Sequence, residues 1–293
     1  MTAGASGAAD PAGGGWLLSV KHHSGYRYAG PVFSSYNEAR VTPRSDPRQR
    51  VLDATVEVSP AASLYRYVDY FGSVVTAFDV HAAHSELTVA ASCVVETAPA
   101  GDAEPAAEWS VLDDPDTRDE LGEYLTQTRR TTPDDELLAV AAQVRAAPTP
   151  DDGARLAAGW THQRLAYVSG STSVHTNAVQ ALGEGRGVCQ DFAHVTIALL
   201  RAAGVPARYV SGYLHPRTDA AVGETVTGES HAWVEWWAGG WRAYDPTNDG
   251  VPGPGHIVVA RGRDYDDVTP LRGIYNGGDS TSLGVTVEVT RLR

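Results

Sequence analysis

The segment that most constrains the fold reads GEGRGVCQDFAHVTIALLRAAG and runs from Gly183 to Gly204. From Cys189 to about Ala203 its apolar residues cover much of the circumference of a helix, and Gly204 is a typical helix terminator. Such a helix is stable only when other elements enclose it. The segment therefore predicts a buried central helix, and it places a cysteine where a glycine-rich loop turns into that helix.

Segments on both sides of this helix have the character of strands. Between Trp16 and about Thr97, short runs alternate apolar and polar residues and are separated by proline and glycine, which predicts a β-rich N-terminal domain over residues 16–98. After the helix, ARYVSGYL predicts a strand, and ESHAWVEWWAGGWRAYDPTND predicts a hairpin that turns at Ala238-Gly239-Gly240. SLGVTVEVTRLR predicts a closing strand.

The remaining boundaries follow shifts in composition. Residues 99–152 are rich in Ala, Asp, Glu and Pro and predict an acidic helical connector, in which one helix takes Thr132 as its N-cap and Pro133 at its first position. Residues 153–293 are expected to form a C-terminal core that includes the closing strand. Residues 1–15 are mostly Gly and Ala and are expected to be a disordered tail.

The composition excludes several classes of function. The net charge is -13 and no basic stripe occurs, so we expect no nucleic-acid partner. We find neither a run of about 18 apolar residues nor a signal-peptide pattern, so we expect no membrane partner and a cytoplasmic location. Two cysteines are too few for a disulfide scaffold, so we expect free thiols, with a single bridge between Cys93 and Cys189 as the alternative.

The position of Cys189 suits a nucleophile. A thiol attacks as the thiolate, whereas an unperturbed cysteine has a pKa of about 8.5 and is mostly protonated at neutral pH. The free N–H groups and the dipole at a helix N-terminus favour the anion, and so does a neighbouring imidazolium. A cysteine at a helix start also has a structural interpretation as a packing residue, so the functional interpretation depends on its partners.

The hairpin supplies the partners for a nucleophilic cysteine. His231 begins its first strand and Asp245 ends its second, so the two side chains should lie close together at the open end. An aspartate there can accept the second ring N–H of the histidine, fix its tautomer and stabilise the imidazolium. Taken singly, His231 could be a strand histidine and Asp245, before a proline, part of a turn. Their combination with Cys189 predicts a catalytic Cys-His-Asp set.

An acyl-transfer site also needs hydrogen-bond donors for an oxyanion. The backbone N–H of Cys189 is one candidate. A nearby side chain would supply the second donor, and aromatic residues would line the cleft, with core packing as the competing interpretation. The candidates for the second donor are Trp160, Tyr167 and Gln190, and those for the cleft lining are Tyr213 and Trp233.

The motifs themselves resemble a known family. GVCQDFAHVTIALLRAAGVPARYVSGYL, followed by SHAWVEWWAGGWRAYDPTND, is similar to the bacterial branch of the transglutaminase-like superfamily through G-x-C-x-D, H-A-W-V-E and D-P-T. HHSGYRYAGPVFSSYNEARVTPR resembles the β-rich domain that precedes the core in that branch, and GRDYDDVTPLRGIYNGG resembles its C-terminal region. The resemblance spans most of the chain.

The resemblance implies a papain-like α+β core in which the helix carrying the cysteine packs on an antiparallel sheet. It implies Cys189 as nucleophile, His231 as base and Asp245 as orienting acid, with no metal and no cofactor. The implied reaction is acyl transfer through a thioester, with a peptide or protein amide as substrate and, in the transfer form, an amine acceptor. Many relatives carry Arg after the cysteine where this chain has Gln190, so their substrate preference does not carry over.

Several alternatives accompany this prediction. His194 could serve as the base, but it lies five residues after Cys189 and projects from another part of the helix, so we favour a buried structural histidine. Protease- or amidase-like hydrolysis is favoured over transfer to an amine. A catalytically inactive peptide-binding module is the alternative from a different class.

A metal protein is the weakest alternative. His22 and His23 are adjacent, and His81 and His84 form an H-x-x-H pattern. Strand positions three apart point to opposite faces, so these residues do not predict a metal site. Cys93 lies in an apolar strand and is expected to be a core residue.

Overall fold

The computed structural model describes residues 14–99, 105–228 and 230–293. The predicted N-terminal tail lies outside the described residues up to residue 13, as do residues 100–104 of the predicted acidic connector. No helix within the described part is long and apolar enough to cross a membrane.

The described secondary structure alternates between strand-rich and helical regions, as the sequence predicts. The strands are β1 (Trp16–Thr42), β2 (Gln49–Ser59), β3 (Leu64–Val68), β4 (Val74–Val80), β5 (His84–Thr97), β6 (Ala166–Tyr167), β7 (Arg186–Gly187), β8 (Ala207–Leu214), β9 (Thr225–Gly228), β10 (His231–Trp237), β11 (Trp241–Tyr244), β12 (His256–Gly262), β13 (Leu271–Asn276) and β14 (Ser280–Arg291). The helices are α1 (Trp109–Asp113), α2 (Pro115–Glu120), α3 (Gly122–Leu125), α4 (Asp135–Arg145), α5 (Pro150–Arg164), α6 (Ala178–Glu184), α7 (Cys189–Ala202) and α8 (Tyr265–Val268).

The predicted central helix is α7, and it is buried over most of its length. It packs against β10 on one side and against α4, α5 and α6 on others. Strands β11, β10, β8 and β12 form an antiparallel sheet in that order beneath it. This is the expected α+β core, with the cysteine-bearing helix on an antiparallel sheet.

The closing strand was expected to belong to the core formed by residues 153–293, but it lies in the N-terminal sheet. Strand β14 pairs antiparallel with β1 over much of its length, and β9 pairs with β14 at the end of the order β2-β5-β1-β14-β9. The C-terminal end of the chain therefore completes the N-terminal sheet. Long-range strand pairing of this kind leaves no signal in local periodicity, which explains why the expectation missed it.

The N-terminal sheet and the α+β core around α7 share one continuous hydrophobic cluster. Leu18 and Val95 of the N-terminal sheet, Val289 of β14 and Leu199 of α7 are all fully or almost fully buried within it. Cys93 is buried there as expected, and both cysteines are free, so the alternative Cys93–Cys189 bridge does not form. The two regions are therefore packed together through apolar side chains.

One predicted helix start is wrong by two residues. Helix α4 begins at Asp135, and its N-cap is Asp134, whose side chain accepts a hydrogen bond from the Leu137 N–H at 3.0 Å. Thr132, the predicted cap, instead donates its hydroxyl to the Thr128 carbonyl at 2.8 Å. Aspartate and threonine both cap helices well. Here the Thr132 hydroxyl is used in the turn with Thr128, and Asp134 caps the helix.

Candidate active site

Cys189 is held at the first position of α7 by a fixed entry into the helix. Asp191, in the first turn, accepts a hydrogen bond from the Val188 N–H at 2.8 Å and one from the Thr172 hydroxyl at 2.6 Å. Burial raises the pKa of Asp191, the aspartate of the G-x-C-x-D motif. Because Thr172 lies in the loop that precedes α6, the same carboxyl group joins that loop to the start of α7.

His231 and Asp245 meet at the open end of the hairpin, as the sequence predicts. The pairing of Val234 with Tyr244 brings the strand ends together, and His231 Nε2 donates to Asp245 Oδ2 at 2.7 Å. The His231 ring is also hydrogen-bonded to the Cys189 side chain. Since Nε2 is engaged by Asp245, the nitrogen that faces the thiol is Nδ1. The three side chains thus form one continuous chain of hydrogen bonds.

The charge on His231 follows from these contacts. Burial by itself lowers the pKa of the imidazole, but the hydrogen bonds with Asp245 and Cys189 and the charges of both outweigh it, and the pKa rises to about 10. An imidazolium next to Cys189 favours the thiolate over the thiol. The site therefore places a charged imidazolium directly beside the Cys189 side chain.

Asp245 is almost completely buried and is surrounded by N–H donors. Its Oδ1 accepts from the backbone of Thr247 at 3.0 Å and of Asn248 at 3.2 Å, and its Oδ2 also accepts from Asn248 Nδ2 at 2.7 Å. Burial raises the pKa of this carboxyl, but the donors from His231, His256 and Asn248 together hold it well below its usual range. Asp245 therefore stays a carboxylate while His231 is charged.

His256 is a member of the site that sequence reasoning missed. Its Nε2 donates to Asp245 Oδ2 at 3.2 Å, and its Nδ1 accepts from the Gly253 N–H at 3.2 Å. Trp233 packs edge-on against His256, with ring centroids 5.3 Å apart, and its ring is tilted by 31° to that of His231 at 6.0 Å. His256 reaches the site because β12 pairs with β8, a tertiary contact that no spacing in the sequence indicates.

Within the described part of the chain, three of these side chains are also close enough together to hold a metal ion. The ligand atoms of His231, Asp245 and His256 lie within 4.8 Å of one another. Nε2 of both histidines already donates to Asp245 Oδ2, and His231 has Cys189 on its other side. Hydrogen bonding therefore accounts for the arrangement, and a metal ion would have to displace these protons.

Cys189 and His231 open onto a cleft of about 510 Å³. One side is formed by α7, β8 and the loop after β6, and the other by β9 and β14 of the N-terminal sheet. The N-terminal sheet thus builds part of the cleft wall. The residues around the cleft are Tyr167, Ser169, Val174, Val188, Cys189, Gln190, Tyr209, Ser211, Leu214, Pro216, Val226, Thr227, Gly228, Ser230, His231, Ala232, Tyr265, Pro270, Val285, Val287 and Val289.

Two of the candidate donors, Gln190 and Tyr167, lie at this cleft. Gln190 is buried, and its Nε2 has no hydrogen-bond partner among the described residues. Tyr209, which the sequence analysis passed over, also lines the cleft, and burial followed by the negative charge of Cys189 raises its pKa well above the usual range. Its hydroxyl therefore stays protonated and is a further candidate donor.

The other predicted cleft residues are placed elsewhere. Trp160 packs against the hydrophobic core and is not part of the cleft lining. Tyr213 is buried, and its hydroxyl donates to the Val41 carbonyl at 2.9 Å, so it joins the core to β1. Trp233 lies behind His231. Its ring fits there because residue 212 is glycine, since a Cβ atom at that position would lie only 2.5 Å from the ring. Aromatic residues near a site in sequence are thus used here for packing.

His194 does not take part in the site. It is fully buried, its Nε2 accepts from the Tyr265 N–H at 3.3 Å, and it does not line the cleft. Burial, together with the positive charges of Arg130 and Arg201, lowers its pKa to about 3. The structure supports the interpretation of His194 as a buried, neutral, hydrogen-bonded histidine rather than a base for Cys189.

Comparison with known families agrees with this geometry. The model of the bacterial transglutaminase-like N-terminal region matches residues 18–96, and that of the transglutaminase-like superfamily matches residues 138–246. An uncharacterized protein of Mycobacterium leprae, ML0607, is 48% identical over 277 residues, which cover 94% of this chain and 99% of that protein. The chain belongs to the transglutaminase-like superfamily.

Other curated proteins and one solved structure are also similar to this chain. The uncharacterized protein Rv2569c of Mycobacterium tuberculosis is 34% identical over 95% of this chain and 94% of its own length. A protein-glutamine gamma-glutamyltransferase of Pseudomonas aeruginosa is 39% identical over 70 residues, which are 22% of this chain and 10% of that enzyme. A solved structure from Cytophaga hutchinsonii, described as a "Putative Cysteine Protease", has a TM-score of 0.76 at 24% identity over 95% of this chain and 91% of its own, and it shows the fold alone.

Proposed function

We propose that this transglutaminase-like protein is a cysteine-dependent acyl-transfer enzyme that acts on a peptide or other amide through a thioester. The observation that carries the proposal is the continuous hydrogen-bonded chain from Cys189 through His231 to Asp245. Cys189 would be the nucleophile, His231 the proton carrier, and Asp245 the residue that orients and charges His231.

The proposed reaction has two steps. The Cys189 thiolate attacks the amide carbonyl carbon, the C–N bond breaks, and His231 gives its Nδ1 proton to the leaving amine. Water then gives a proton back to His231, and its hydroxide attacks the thioester, which releases the acid and the Cys189 thiolate and restores the starting state. The backbone N–H of Cys189 at the start of α7 would stabilise the oxyanion in both steps, with Gln190 or Tyr209 as candidates for the second donor.

We propose hydrolysis as the main reaction, because water reaches a thioester in an open cleft without a separate binding site. Transfer to an amine is the second candidate, and the local similarity to a protein-glutamine gamma-glutamyltransferase favours it. An inactive binding module is disfavoured, since a peptide-binding surface has no need of a charged histidine between a thiol and a buried carboxylate. We retain the proposal of a reducing, cytoplasmic location, which the free thiols of Cys93 and Cys189 support.

The test is the rate of alkylation of Cys189 as a function of pH, read by peptide mass spectrometry. Cys93 is the internal control, because burial raises the pKa of its thiol to about 12. We expect Cys189 to react rapidly well below pH 8 in the native protein and to lose this advantage in His231→Ala. Equal, slow reaction at both cysteines would refute an activated nucleophile and would favour the binding module.

A further inference from the structure

Gln49, at the start of β2 in the N-terminal sheet, binds the backbone of the strand that carries His256. Its Nε2 donates to the Val258 carbonyl at 2.7 Å, and its Oε1 accepts from the Val258 N–H at 2.8 Å. Nε2 also donates to the Arg44 carbonyl at 2.7 Å, and the whole residue is buried. Because Val258 is two residues from His256, this amide fixes the backbone close to the ring.

Gln49 takes the place of a neighbouring strand at the edge of the core sheet. Strand β12 is the last in the order β11-β10-β8-β12, and within the described residues no strand pairs with its outer side. The register of β12 on β8 also shifts between Val258 and Ala260, so the ladder is irregular at this point. Backbone N–H and C=O groups that lose water need partners, and the Gln49 amide supplies both.

The backbone on the other side of His256 is held in a similar way. Thr97 of β5 is the cross-strand partner of Gln49, and its hydroxyl donates to the Pro254 carbonyl at 2.7 Å. Pro254 and Val258 are each two residues from His256. The N-terminal sheet therefore binds the backbone before and after this histidine through two neighbouring side chains.

The hydrogen bond that these contacts support is the one between His256 and Asp245. His256 Nδ1 accepts from the Gly253 N–H at 3.2 Å, which leaves the proton on Nε2, and Nε2 donates to Asp245 Oδ2 at 3.2 Å. The same oxygen accepts from His231 at 2.7 Å. A donor–acceptor distance of 3.2 Å is at the long end of the usual range, so a small shift of β12 breaks this bond.

We propose that Gln49, assisted by Thr97, is a positioning residue of the candidate active site. It holds β12 so that His256 stays hydrogen-bonded to the carboxylate that orients His231. The inference rests on the proposed function only for its effect on turnover, since the hydrogen bond itself can be observed in a protein without activity. It gives the N-terminal sheet a role in the site that is separate from its part in the cleft wall.

The first test follows the ring Nε2–H signal of His256 by NMR in protein with isotope-labelled histidine, assigned by its loss in His256→Ala. Gln49→Met keeps the size of the side chain and removes its hydrogen bonds. We expect exchange of this N–H with water to become about tenfold faster or the signal to disappear. Ser73→Ala is the matched control and should leave the signal unchanged. Ser73 Oγ accepts from the Arg261 N–H at 3.1 Å and donates to the Arg261 carbonyl at 3.4 Å, farther along the same strand.

The second test separates positioning from a general loss of stability. Gln49→Met should lower kcat/KM for any amide that the native protein cleaves by about as much as His256→Ala does. The double variant should be no less active than His256→Ala alone, because both changes remove the same hydrogen bond to Asp245. A merely structural role of Gln49 would lower the melting temperature and add its own effect in the double variant.

Thr97→Val, which keeps the shape and removes the hydroxyl, carries the same tests if Gln49→Met does not fold. An unchanged His256 signal in a folded variant, an equal change in Ser73→Ala, or fully additive effects in the double variant would overturn the inference. Faster exchange in Gln49→Met, in a protein that shows neither turnover nor rapid alkylation of Cys189, would support the positioning role and refute the proposed function.

Discussion

Replacing Asp245 by asparagine tests the electrostatic basis of the site most directly, because it removes the charge and keeps the shape. Asp245 Oδ2 lies 2.7 Å from His231 Nε2 and accepts from three side-chain donors in all, while Oδ1 accepts two backbone N–H groups. An amide has only one oxygen, so its NH₂ group faces donors in either orientation. Each N–H left without an acceptor costs roughly 1–3 kcal/mol of stability.

The loss of charge sets the effect on activity. Two unit charges 2.7 Å apart interact by about 1.5 kcal/mol at the dielectric of water and by about 6 kcal/mol at an effective dielectric of 20. The pKa of His231 should therefore fall by about one to about four units, and the equilibrium constant for proton transfer from Cys189 to His231 should fall by the corresponding factor of about 10 to about 10⁴. Because Asp245 is 1% exposed, we expect the upper half of this range.

The assay is alkylation of Cys189 by iodoacetamide between about pH 5 and about pH 9, together with kcat/KM on any amide that the native protein cleaves. The proposed ion pair predicts a native rate that is flat through neutral pH. The rate for Asp245→Asn should rise with pH, as for an ordinary thiol. Asp264→Asn is the matched control, since Asp264 is also buried and caps α8 without lining the cleft itself. A native rate at neutral pH in Asp245→Asn would refute the role of the carboxylate.

Three further outcomes follow from the same contacts. Cys189→Ala should abolish turnover and leave the melting curve close to native, since alanine fits a helix start; residual turnover would remove Cys189 as the nucleophile. His256→Ala should lower kcat/KM about tenfold, because it removes one hydrogen bond to the Asp245 carboxylate. His256→Gln should restore part of the lost activity. The acid limb of the pH profile should move in His256→Ala only if His256 acts through Asp245. As the pH falls from about 6.5 to about 3, His194 should lower the free energy of unfolding by about 1.4 kcal/mol per pH unit. In this range the histidine of the unfolded chain binds a proton, whereas the buried ring of the folded protein, with a pKa of about 3, does not. Urea unfolding of His194→Gln should show a shallower slope over that range, and an unchanged slope would contradict a neutral buried His194.

The local elements of this protein could be predicted from the sequence because each depends on neighbouring residues. The period of the apolar residues marks α7 as buried, and Gly204 marks its end. The hairpin turn fixes which residues meet across β10 and β11, so the proximity of His231 and Asp245 follows from counting along the chain. The superfamily motifs then indicate Cys189 as the third member, which the hydrogen bond with His231 supports.

Other features depend on contacts between distant segments, and only the tertiary structure decided them. His256 reaches Asp245 through the pairing of β12 with β8, and the N-terminal sheet forms part of the cleft because β14 returns to β1. Trp160 and Tyr213 looked like cleft residues by type, yet they pack in the core, because an aromatic ring suits both environments equally well. The sequence by itself determined the reactive group and its local partners. The tertiary structure decided what surrounds them, since register and packing between remote strands set which side chains face the cleft.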